Sequence, residues 1–256
     1  MRVIVVTGAA SGIGAAVRER LVAEGSRVIG VDLRNADVTA DLSDDAGRAR
    51  ALDGVRGLAD DTLDGLVACA GLGPQVADHA RIVSVNYFGA VAVLDGLRPL
   101  LARGRDAAAV AISSNSASIL PEGDGKLTAA CLAGDEDEAR RIASGLDGSS
   151  TYAHSKLALA RFVRRNAPGT DWAGAGIRLN AVAPGAVQTP LLQEGLDDPQ
   201  YGPAIRGFPI PLGGFGSAGQ IAAAVAFLLG REASFCCGTV LYADGGSDAL
   251  IRRDTY

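Results

Sequence analysis

Short runs of β-branched and aliphatic residues alternate along the chain with longer stretches of helical character. The runs that predict buried strands are Arg2–Val6, Arg27–Val31, Leu63–Cys69, Ala107–Ile112, Gly176–Val182 and Gly238–Ala243. Continuous apolar runs of this length are typical of parallel strands that are covered on both faces. Because strands and helices alternate, the pattern predicts an α/β protein with a doubly wound parallel sheet of about seven strands, formed as a single domain over residues 1–256.

Two segments depart from this alternation. Residues 120–150 are too long for an ordinary loop in a compact domain, and helix-compatible pieces at Lys126–Leu132 and Asp135–Ser144 predict a helical insertion. Its acidic run, Asp135–Glu138, is expected to be a solvated face. Residues 190–213 are rich in Gly and Pro, which predicts an irregular and mobile substrate loop that acts as a lid.

Composition and charge narrow the class of protein. The chain has 256 residues, of which 48% are hydrophobic, and its net charge of −5 argues against nucleic acid as a main partner. With no apolar run of about 18 residues and no signal peptide, we expect no membrane span. The four cysteines lack metal-ligand spacing, so no metal site is predicted, and they are expected to be reduced thiols in a cytoplasmic protein.

A glycine-rich turn follows the first strand and precedes a helix, which is the context that a phosphate-binding fingerprint requires. Gly8 permits a tight turn, Gly12 lets the backbone approach a pyrophosphate, and Gly14 lets the helix and strand pack closely. The free N–H groups at the start of the helix, Ala15–Glu24, then face the anion. These features predict a Rossmann fold that binds a dinucleotide.

The second predicted strand ends at Asp32, about 20 residues past the glycines, where an acid binds both ribose hydroxyls of NAD. Its charge would repel the additional phosphate of NADP, and Ser11 in the glycine loop adds no basic partner for that phosphate. Arg34 either supplies such a partner or is a solvated loop residue. Asp41 either accepts a hydrogen bond from the adenine or, like Asp44, caps the helix that follows.

Tyr152 and Lys156 lie four residues apart in an alanine-rich run that predicts a helix over Thr151–Phe162. Both side chains therefore leave the same face of the helix. An ammonium beside a phenol favours the phenolate and lowers its pKa, so the pair can transfer a proton at neutral pH. On this stretch alone, a Tyr and a Lys on the surface of an amphipathic helix is an equal alternative.

Three further sites belong with this pair. Ser113–Ser116 follow the fourth predicted strand, whose carboxyl end lies in the ligand crevice of an open parallel sheet. Ala70 and Gly71 are small enough to let the chain pass over a cofactor. Asn86 falls among apolar neighbours in a predicted helix, Ala80–Arg103, so it is expected to be buried and hydrogen-bonded.

These motifs, in this order, resemble those of the short-chain dehydrogenase/reductase family over nearly the whole chain. The matching residues are Thr7-Gly8-x-x-x-Gly12-Ile13-Gly14, Asn86, Ser114, Tyr152-x-x-x-Lys156 and Pro184-Gly185. Within the family, residues 65–75, 83–90 and 189–193 and the insertion are similar to the bacterial 3α-hydroxysteroid dehydrogenase/carbonyl reductase group. Cys69 stands where the family usually has Asn before Ala-Gly, a departure that concerns local packing more than chemistry.

The resemblance implies a role for each of these residues. Tyr152 is expected to be the general acid/base, and Lys156 to lower its pKa and bind the nicotinamide ribose. Ser114 is expected to bond the substrate oxygen, Asn86 to hold a water for proton relay, and Thr189 to bind the nicotinamide carboxamide. The other residues expected to bind NAD are Gly8, Ser11, Gly12, Ile13, Gly14, Asp32, Leu33, Asp41, Leu42, Ala70, Gly71, Pro184, Gly185 and Val187.

The implied activity is NAD-dependent interconversion of a secondary alcohol and a ketone on a small, steroid-like or other apolar substrate. One alternative keeps the chemistry but changes the substrate to a sugar, acyl or quinone carbonyl. A second alternative, from a different class, is a nicotinamide-sensing protein without catalysis. The complete catalytic set favours the enzyme.

The resemblance also bears on assembly, since family members commonly associate through the helices that carry Asn86 and Tyr152. The insertion is expected to lie over that surface. A two-fold homodimer that pairs Ala218–Leu229 and Gly238–Ala243 is therefore predicted, with a tetramer as the alternative.

Overall fold

The structure is a computed structural model that describes residues 1–119 and 125–255. Its strands are β1 (Val3–Thr7), β2 (Arg27–Asp32), β3 (Val38–Thr39), β4 (Gly65–Ala68), β5 (Ala108–Ile112), β6 (Arg178–Pro184), β7 (Val187–Gln188), β8 (Gly216–Ser217) and β9 (Val240–Ala243). Its helices are α1 (Gly12–Ala23), α2 (Asp45–Leu58), α3 (His79–Val83), α4 (Ala90–Leu101), α5 (Ser116–Ile119), α6 (Lys126–Ala133), α7 (Glu136–Ala143), α8 (Gly148–Asn166), α9 (Pro190–Asp197), α10 (Gly202–Gly207), α11 (Ala218–Leu229) and α12 (Ser247–Ile251). A π-helical turn, Ser84–Gly89, joins α3 to α4.

Seven parallel strands form one sheet in the order β3-β2-β1-β4-β5-β6-β9. The six apolar runs all supply strands of this sheet, so the predicted doubly wound sheet is confirmed. The seventh strand is β3, a two-residue edge strand that the hydrophobic pattern did not reveal. The order reverses between β1 and β4, and in such sheets the ligand crevice lies at that switch point.

Alternate residues of the central strands point into two separate apolar layers, as the pleat of a strand requires. Ile4 and Val6 of β1 pack in the layer that holds α1 and α11, with Leu21 and Val225 among its buried members. Val5 points the other way, into the larger layer formed by α2, α4 and α8. The sheet is therefore covered on both faces, which explains its continuous apolar strands.

The insertion is helical where the structure describes it, and α6 and α7 match the two predicted pieces within two residues at each end. Residues 120–124 of the predicted insertion lie outside the described residues. The expectation that the acidic run is only a solvated face is wrong. Asp135 caps α7, and the carboxylate of Glu136 forms an ion pair with the buried guanidinium of Arg48.

The predicted irregular loop at 190–213 contains two helices, α9 and α10, so that expectation is wrong as well. The hydroxyl of Thr189 accepts a hydrogen bond from the Leu192 N–H at the start of α9. Pro190 fits the first helical position, where its missing N–H has no partner to lose. The same residue types that interrupt a helix interior thus begin a helix here.

One long apolar helix carries Asn86 across the larger layer. Residues His79–Leu101 are long and apolar enough to cross a membrane by length and composition alone, although polar and charged residues interrupt them and they form no continuous apolar run. In its most apolar window 67% of the residues are buried inside the protein. The apolarity of this segment therefore matches its place in the core.

Candidate active site

A cleft of about 1080 Å³ opens at the carboxyl ends of the central strands. Every residue that was predicted to bind the cofactor lines it, together with the predicted catalytic residues Ser114, Tyr152 and Lys156. Asn86 is the predicted site residue that does not. The cleft thus brings together predicted site residues as distant in the sequence as Gly8 and Thr189.

The glycine loop has the backbone that the fingerprint predicted. Gly8 and Gly12 have φ angles of +68° and +53°, in the left-handed region that favours glycine. A Cβ on Gly14 would lie 2.0 Å from the Gly8 carbonyl oxygen, so only glycine permits this approach of α1 to β1. Ser11 precedes α1 and makes no capping hydrogen bond with its side chain. The first N–H groups of α1 therefore have no side-chain cap, and their residues line the cleft, where an anion can bind.

Asp32 lies at the end of β2 beside this loop. Its Oδ2 accepts a hydrogen bond of 2.9 Å from the Ala10 N–H, and its Oδ1 accepts one of 2.7 Å from the Leu33 N–H. A carboxylate has about four lone-pair positions, so both oxygens can still accept from a ligand hydroxyl. The carboxylate is thus oriented by the protein before a ligand arrives.

Asp41 and Leu42 line the same end of the cleft. The carboxylate of Asp41 accepts hydrogen bonds of 2.9 Å from both the Ser43 N–H and the Arg81 guanidinium. Burial alone would raise the pKa of Asp41, but these bonds hold the pKa below its ordinary value. Of the two candidate caps, it is Asp44 that caps α2.

Lys156 projects from α8 into the wall of the cleft and is 4% exposed. Its ammonium donates a hydrogen bond of 2.9 Å to the Ile112 carbonyl and lies 5.8 Å from the centre of the Tyr152 ring. Burial lowers the pKa of Lys156 to about 8. A Cβ on Gly71 would come within 3.4 Å of the ammonium, so the small residue leaves room for it.

Tyr152 faces Ser114 across the cleft. Removal of the phenol from water raises the pKa of Tyr152, and a hydrogen bond with the Ser114 side chain opposes this only in part. The direction is opposite to the one that the spacing of Tyr152 and Lys156 predicted. The reason is burial, which favours the neutral phenol and has the largest effect on the pKa of Tyr152. A protonated phenol at neutral pH is suited to act as an acid.

Asn86 is fully buried in the π-helical turn. Its Oδ1 accepts from the Leu72 N–H at 2.7 Å, and its Nδ2 donates to the Leu72 carbonyl at 3.0 Å and to the Ser155 hydroxyl at 3.3 Å. Ser155 donates in turn to the Tyr152 carbonyl. The side chain of Asn86 therefore connects the loop after β4 to the helix of Tyr152, and a water at this residue stays a prediction.

The chain after β6 closes the cleft from the other side. A Cβ on Gly185 would lie 2.8 Å from the Cα of Asp244, which explains the need for glycine where the two segments meet. Thr189 donates to the Val187 carbonyl at 3.1 Å, and a Cβ on Gly12 would lie 3.3 Å from the Thr189 methyl group. The start of α9 thus rests against the glycine loop.

The hydroxyl of Thr7 at the end of β1 holds the backbone of the loop that carries Cys69. The N–H groups of Cys69 and Ala70 both donate to the Thr7 hydroxyl at 3.0 Å. Burial raises the pKa of the Cys69 thiol to about 12, so it is a neutral side chain at physiological pH. That the departure from Asn concerns local packing more than chemistry stays a prediction.

Several residues of the cleft were not singled out from the sequence. Arg81 binds Asp41, and Gln75, Tyr201 and Phe208 line the side formed by α9 and α10. Gln75 falls within a stretch that carried the family resemblance, but no chemistry was attached to it. The other three lie in helical or loop sequence with no motif, so only the fold brings them to the cleft.

Comparisons with known proteins define the class. Residues 2–124 match the sequence model described as short chain dehydrogenase, and residues 137–248 match one described as enoyl-(acyl carrier protein) reductase. The chain belongs to the short-chain dehydrogenase/reductase family and is an oxidoreductase. The fold, the family and the enzyme class predicted from the sequence are thereby confirmed.

Individual relatives cover nearly the whole chain. It is 45% identical to the 3-alpha-hydroxysteroid dehydrogenase/carbonyl reductase of Comamonas testosteroni, over 98% of each chain. It is 34% identical to the cis-4-hydroxycyclohexanecarboxylate dehydrogenase of Sinomonas cyclohexanicum, over 97% of each. The 3-alpha-hydroxysteroid dehydrogenase from Pseudomonas sp. B-0831, solved in complex with NADH, is 48% identical and superimposes with a TM-score of 0.96, over 99% of this chain and 100% of that one.

Proposed function

We propose that this protein interconverts a secondary alcohol and a ketone with NAD(H), acting on an apolar ring substrate such as a 3α-hydroxysteroid. The observation that carries this proposal is the meeting of Tyr152, Ser114 and Lys156 with the glycine loop and Asp32 in one cleft. The similarity to the steroid dehydrogenases of Comamonas and Pseudomonas supports the substrate class, and the NADH complex of the latter supports the cofactor.

The cleft fits a dinucleotide on its own geometry. The positive-φ glycines and the start of α1 suit the pyrophosphate, and the oriented carboxylate of Asp32 suits two ribose hydroxyls. We assign the buried ammonium of Lys156 to the nicotinamide ribose, and Thr189 and Val187, which line the same cleft, support a nicotinamide at this end. The bound nicotinamide supplies the hydride chemistry.

The residues of the chain account for the proton. In ketone reduction, the Tyr152 hydroxyl donates its proton to the substrate oxygen while the Ser114 hydroxyl hydrogen-bonds to the same oxygen. The ammonium of Lys156 then stabilises the phenolate that remains on Tyr152. In alcohol oxidation the same phenolate accepts the proton, so the raised pKa of Tyr152 makes oxidation increase with pH.

The far side of the cleft suits an apolar body. Val76, Leu192, Ile205 and Phe208 line it, and their side chains come from the loop after β4 and from the α9–α10 segment. Burial of apolar ligand surface contributes roughly 25 cal/mol per Å². A steroid or other alicyclic ring system is therefore favoured over a sugar.

The test is a panel of ketones and secondary alcohols, with steroids, alicyclic compounds and sugars, monitored by NADH absorbance. We expect turnover of steroid or alicyclic substrates, and a higher kcat/KM with NADH than with NADPH because Asp32 repels the extra phosphate. Turnover restricted to sugars would contradict the substrate class. A clear preference for NADPH would contradict the cofactor assignment and indicate that Arg34 binds the phosphate.

We further infer a homodimer and a cytoplasmic location. Helices α6 and α7 pack on α8 and α3, which supports the expectation that the insertion covers the surface around Tyr152 and Asn86. Phe227 of α11 and Phe235 before β9 are 42% and 102% exposed, and β9 is an edge strand. An exposed apolar surface beside an open sheet edge is typical of an interface.

The buried free thiol of Cys131 is consistent with a reducing compartment, which supports the cytoplasmic location.

A further inference from the structure

One acidic side chain lies among the apolar residues at the substrate side of the cleft. The charged residues that line the cleft, in the described part of the chain, are Asp32, Arg34, Asp41, Arg81, Lys156 and Glu194. The first five come from the nucleotide side or from the helix of Tyr152. Glu194 comes from α9, so it is the one charged residue of this set that borders the apolar side.

Gln75 holds Glu194 in place across the cleft. The Gln75 Nε2 group donates to a Glu194 carboxylate oxygen at 3.1 Å and to the Leu191 carbonyl at 3.5 Å. These two acceptors fix the orientation of the amide, since a flipped amide would place its oxygen against a carboxylate. The bond joins the loop after β4 to α9. Gln75 and Glu194 are therefore neighbours in the fold although they lie 119 residues apart in the sequence.

The amide oxygen of Gln75 is buried and has no hydrogen-bond partner among the described residues. It lies beside Gly73, where a Cβ would approach it to 2.3 Å. Because that oxygen is buried, the carboxylate of Glu194 is the acceptor that this bridge offers to the cleft. Acceptor oxygens are complementary to a hydroxyl group and unfavourable for a second carboxylate.

The helices around Glu194 offer little compensating positive charge. Asp197 and Asp198 follow Glu194 on the same segment, and Arg206 is its one basic residue. Arg206 is exposed, donates to the Leu196 carbonyl at 2.9 Å and does not line the cleft. The segment that covers the substrate side is thus negative overall.

We propose that Glu194, oriented by Gln75, makes the enzyme select uncharged substrates over substrates that carry a carboxylate away from the reacting carbon. This rests on the function proposed above and narrows its substrate class. Specificity of this kind is a difference between two affinities, and like-charge repulsion acts on the unwanted substrate alone. The preferred substrates are apolar ring ketones and alcohols that are neutral or carry a distal hydroxyl.

The test compares carboxylic acids with their methyl esters as substrates, so that only the charge and one methyl group differ. A short pair, 4-oxocyclohexanecarboxylate and its ester, and a long pair, a 3-oxo-cholanoate and its ester, place the charge at two distances from the ketone. We expect wild-type enzyme to favour the ester in at least one pair. In Glu194→Gln, the kcat/KM for the ester divided by that for the acid should fall about tenfold, because the KM of the acid decreases.

Asp197→Asn is the matched control, because it removes the same charge from the same helix. Asp197 accepts from Gln193 and does not line the cleft, so its variant should keep the wild-type ratio. Raising the ionic strength should narrow the ratio in wild type and leave it unchanged in Glu194→Gln, since salt screens charge repulsion. The KM for NADH and the kcat for the ester should be unchanged in Asp197→Asn, whose side chain lies outside the cleft lining.

Two results would overturn the proposal: an unchanged ratio in Glu194→Gln, or an equal fall in Asp197→Asn. If neither member of either pair is turned over, the function proposed above fails for these ring ketones. Binding of each pair to the NADH complex, measured by NADH fluorescence, then decides the role of Glu194 independently. Equal affinity of acid and ester in wild type and Glu194→Gln would refute it there as well.

Discussion

At the scale of single residues, burial sets the protonation of the two groups that define the site. The sequence spacing of Tyr152 and Lys156 predicted that they share one helical face, and both line the cleft. It did not predict that the Ile112 carbonyl binds the ammonium or that burial raises the pKa of the phenol. Those effects depend on neighbours from other strands, which spacing within one helix cannot reveal.

Replacement of Tyr152 by Phe should separate chemistry from binding. The ring of Phe retains the packing, but the proton that the phenol donates is lost, and such proton transfer contributes roughly 10²–10⁴-fold to the rate. We expect kcat to fall by about that factor while the Kd for NADH stays within about twofold. Stopped-flow or steady-state assays and NADH fluorescence titration measure the two quantities. Activity close to wild type would contradict the role of Tyr152.

Replacement of Lys156 by Met should abolish turnover and stabilise the fold at neutral pH. The folded-state pKa of about 8 lies below the ordinary 10.5, so burial of the charge destabilises the protein most below pH 8. As pH rises from about 8 to 10.5, wild type loses this penalty. We expect Lys156→Met to be more stable by about 1 kcal/mol at pH 7, or about 2–4 °C in Tm.

This difference in Tm between wild type and Lys156→Met should shrink as the pH is raised through that window. Thermal melts at pH 7, 9 and 10.5 measure it, with Lys126→Met as the control because Lys126 is exposed. Loss of the hydrogen bond to the Ile112 carbonyl opposes the gain and keeps it small. A difference that grows with pH would show that the buried ammonium does not have the assigned pKa.

At the scale of elements, the sequence predicted the strands and helices whose own residues form a clear local pattern. Six strands were found because both faces of each are apolar, and α6 and α7 were found because their composition is helical. Strand β3 was missed because Val38 and Thr39 are too few to form a pattern. Helices α9 and α10 were missed because Gly and Pro at their ends dominate the local composition.

The acidic run of the insertion was misinterpreted because its partner is remote in sequence. Arg48 is 8% exposed and binds the Glu136 carboxylate at 2.5 and 2.8 Å, 88 residues away. The same guanidinium donates to the carbonyls of Leu42 and Ser84 at 2.9 and 3.1 Å. One side chain thus connects α7, the nucleotide end of the cleft and the turn that carries Asn86.

Glu136→Gln should therefore weaken both the fold and NADH binding. The pair is partly buried, so we expect a loss of about 2 kcal/mol, between the values for surface and buried pairs. Arg48 lowers the pKa of Glu136 below its ordinary 4.5 in spite of burial, so this stabilisation is fully present above pH 4.5. It is lost as the pH falls below 4.5 through the lowered pKa of the folded state. Thermal melts from pH 7 to pH 3.5 and the Kd for NADH measure these effects.

Glu138→Gln supplies the control on the same helix, because Glu138 pairs with Arg141 at the surface. This change should leave the Tm and the Kd for NADH as in wild type. If both variants behave alike, the insertion contributes through its overall charge and not through the pair with Arg48. If Glu136→Gln lowers the Tm but leaves the Kd unchanged, Arg48 stabilises the fold without positioning Leu42.

At the scale of the whole molecule, the sheet has two different ends. The end at β3 lies beside the nucleotide side of the cleft, and the end at β9 is an edge strand next to α11. The insertion packs on α3 and α8, on the larger of the two apolar layers. The cleft, the inserted helices and the open edge at β9 therefore lie on separate parts of the surface. Assembly through β9 thus leaves the cleft accessible.

The proposed homodimer through α11 and β9 can be tested with charged substitutions at its exposed phenylalanines. Phe227 and Phe235 lose their apolar contacts in Phe227→Glu and Phe235→Glu, and two like charges then face each other across a two-fold axis. We expect wild type to elute with twice the mass of one chain in light-scattering chromatography and both variants to shift toward the monomer. Leu58→Glu, at a 37% exposed position on α2, should remain a dimer. A dimer that persists in both Phe variants, or a cross-link between the α8 helices of two protomers, would place the interface on the helices that the insertion was expected to cover.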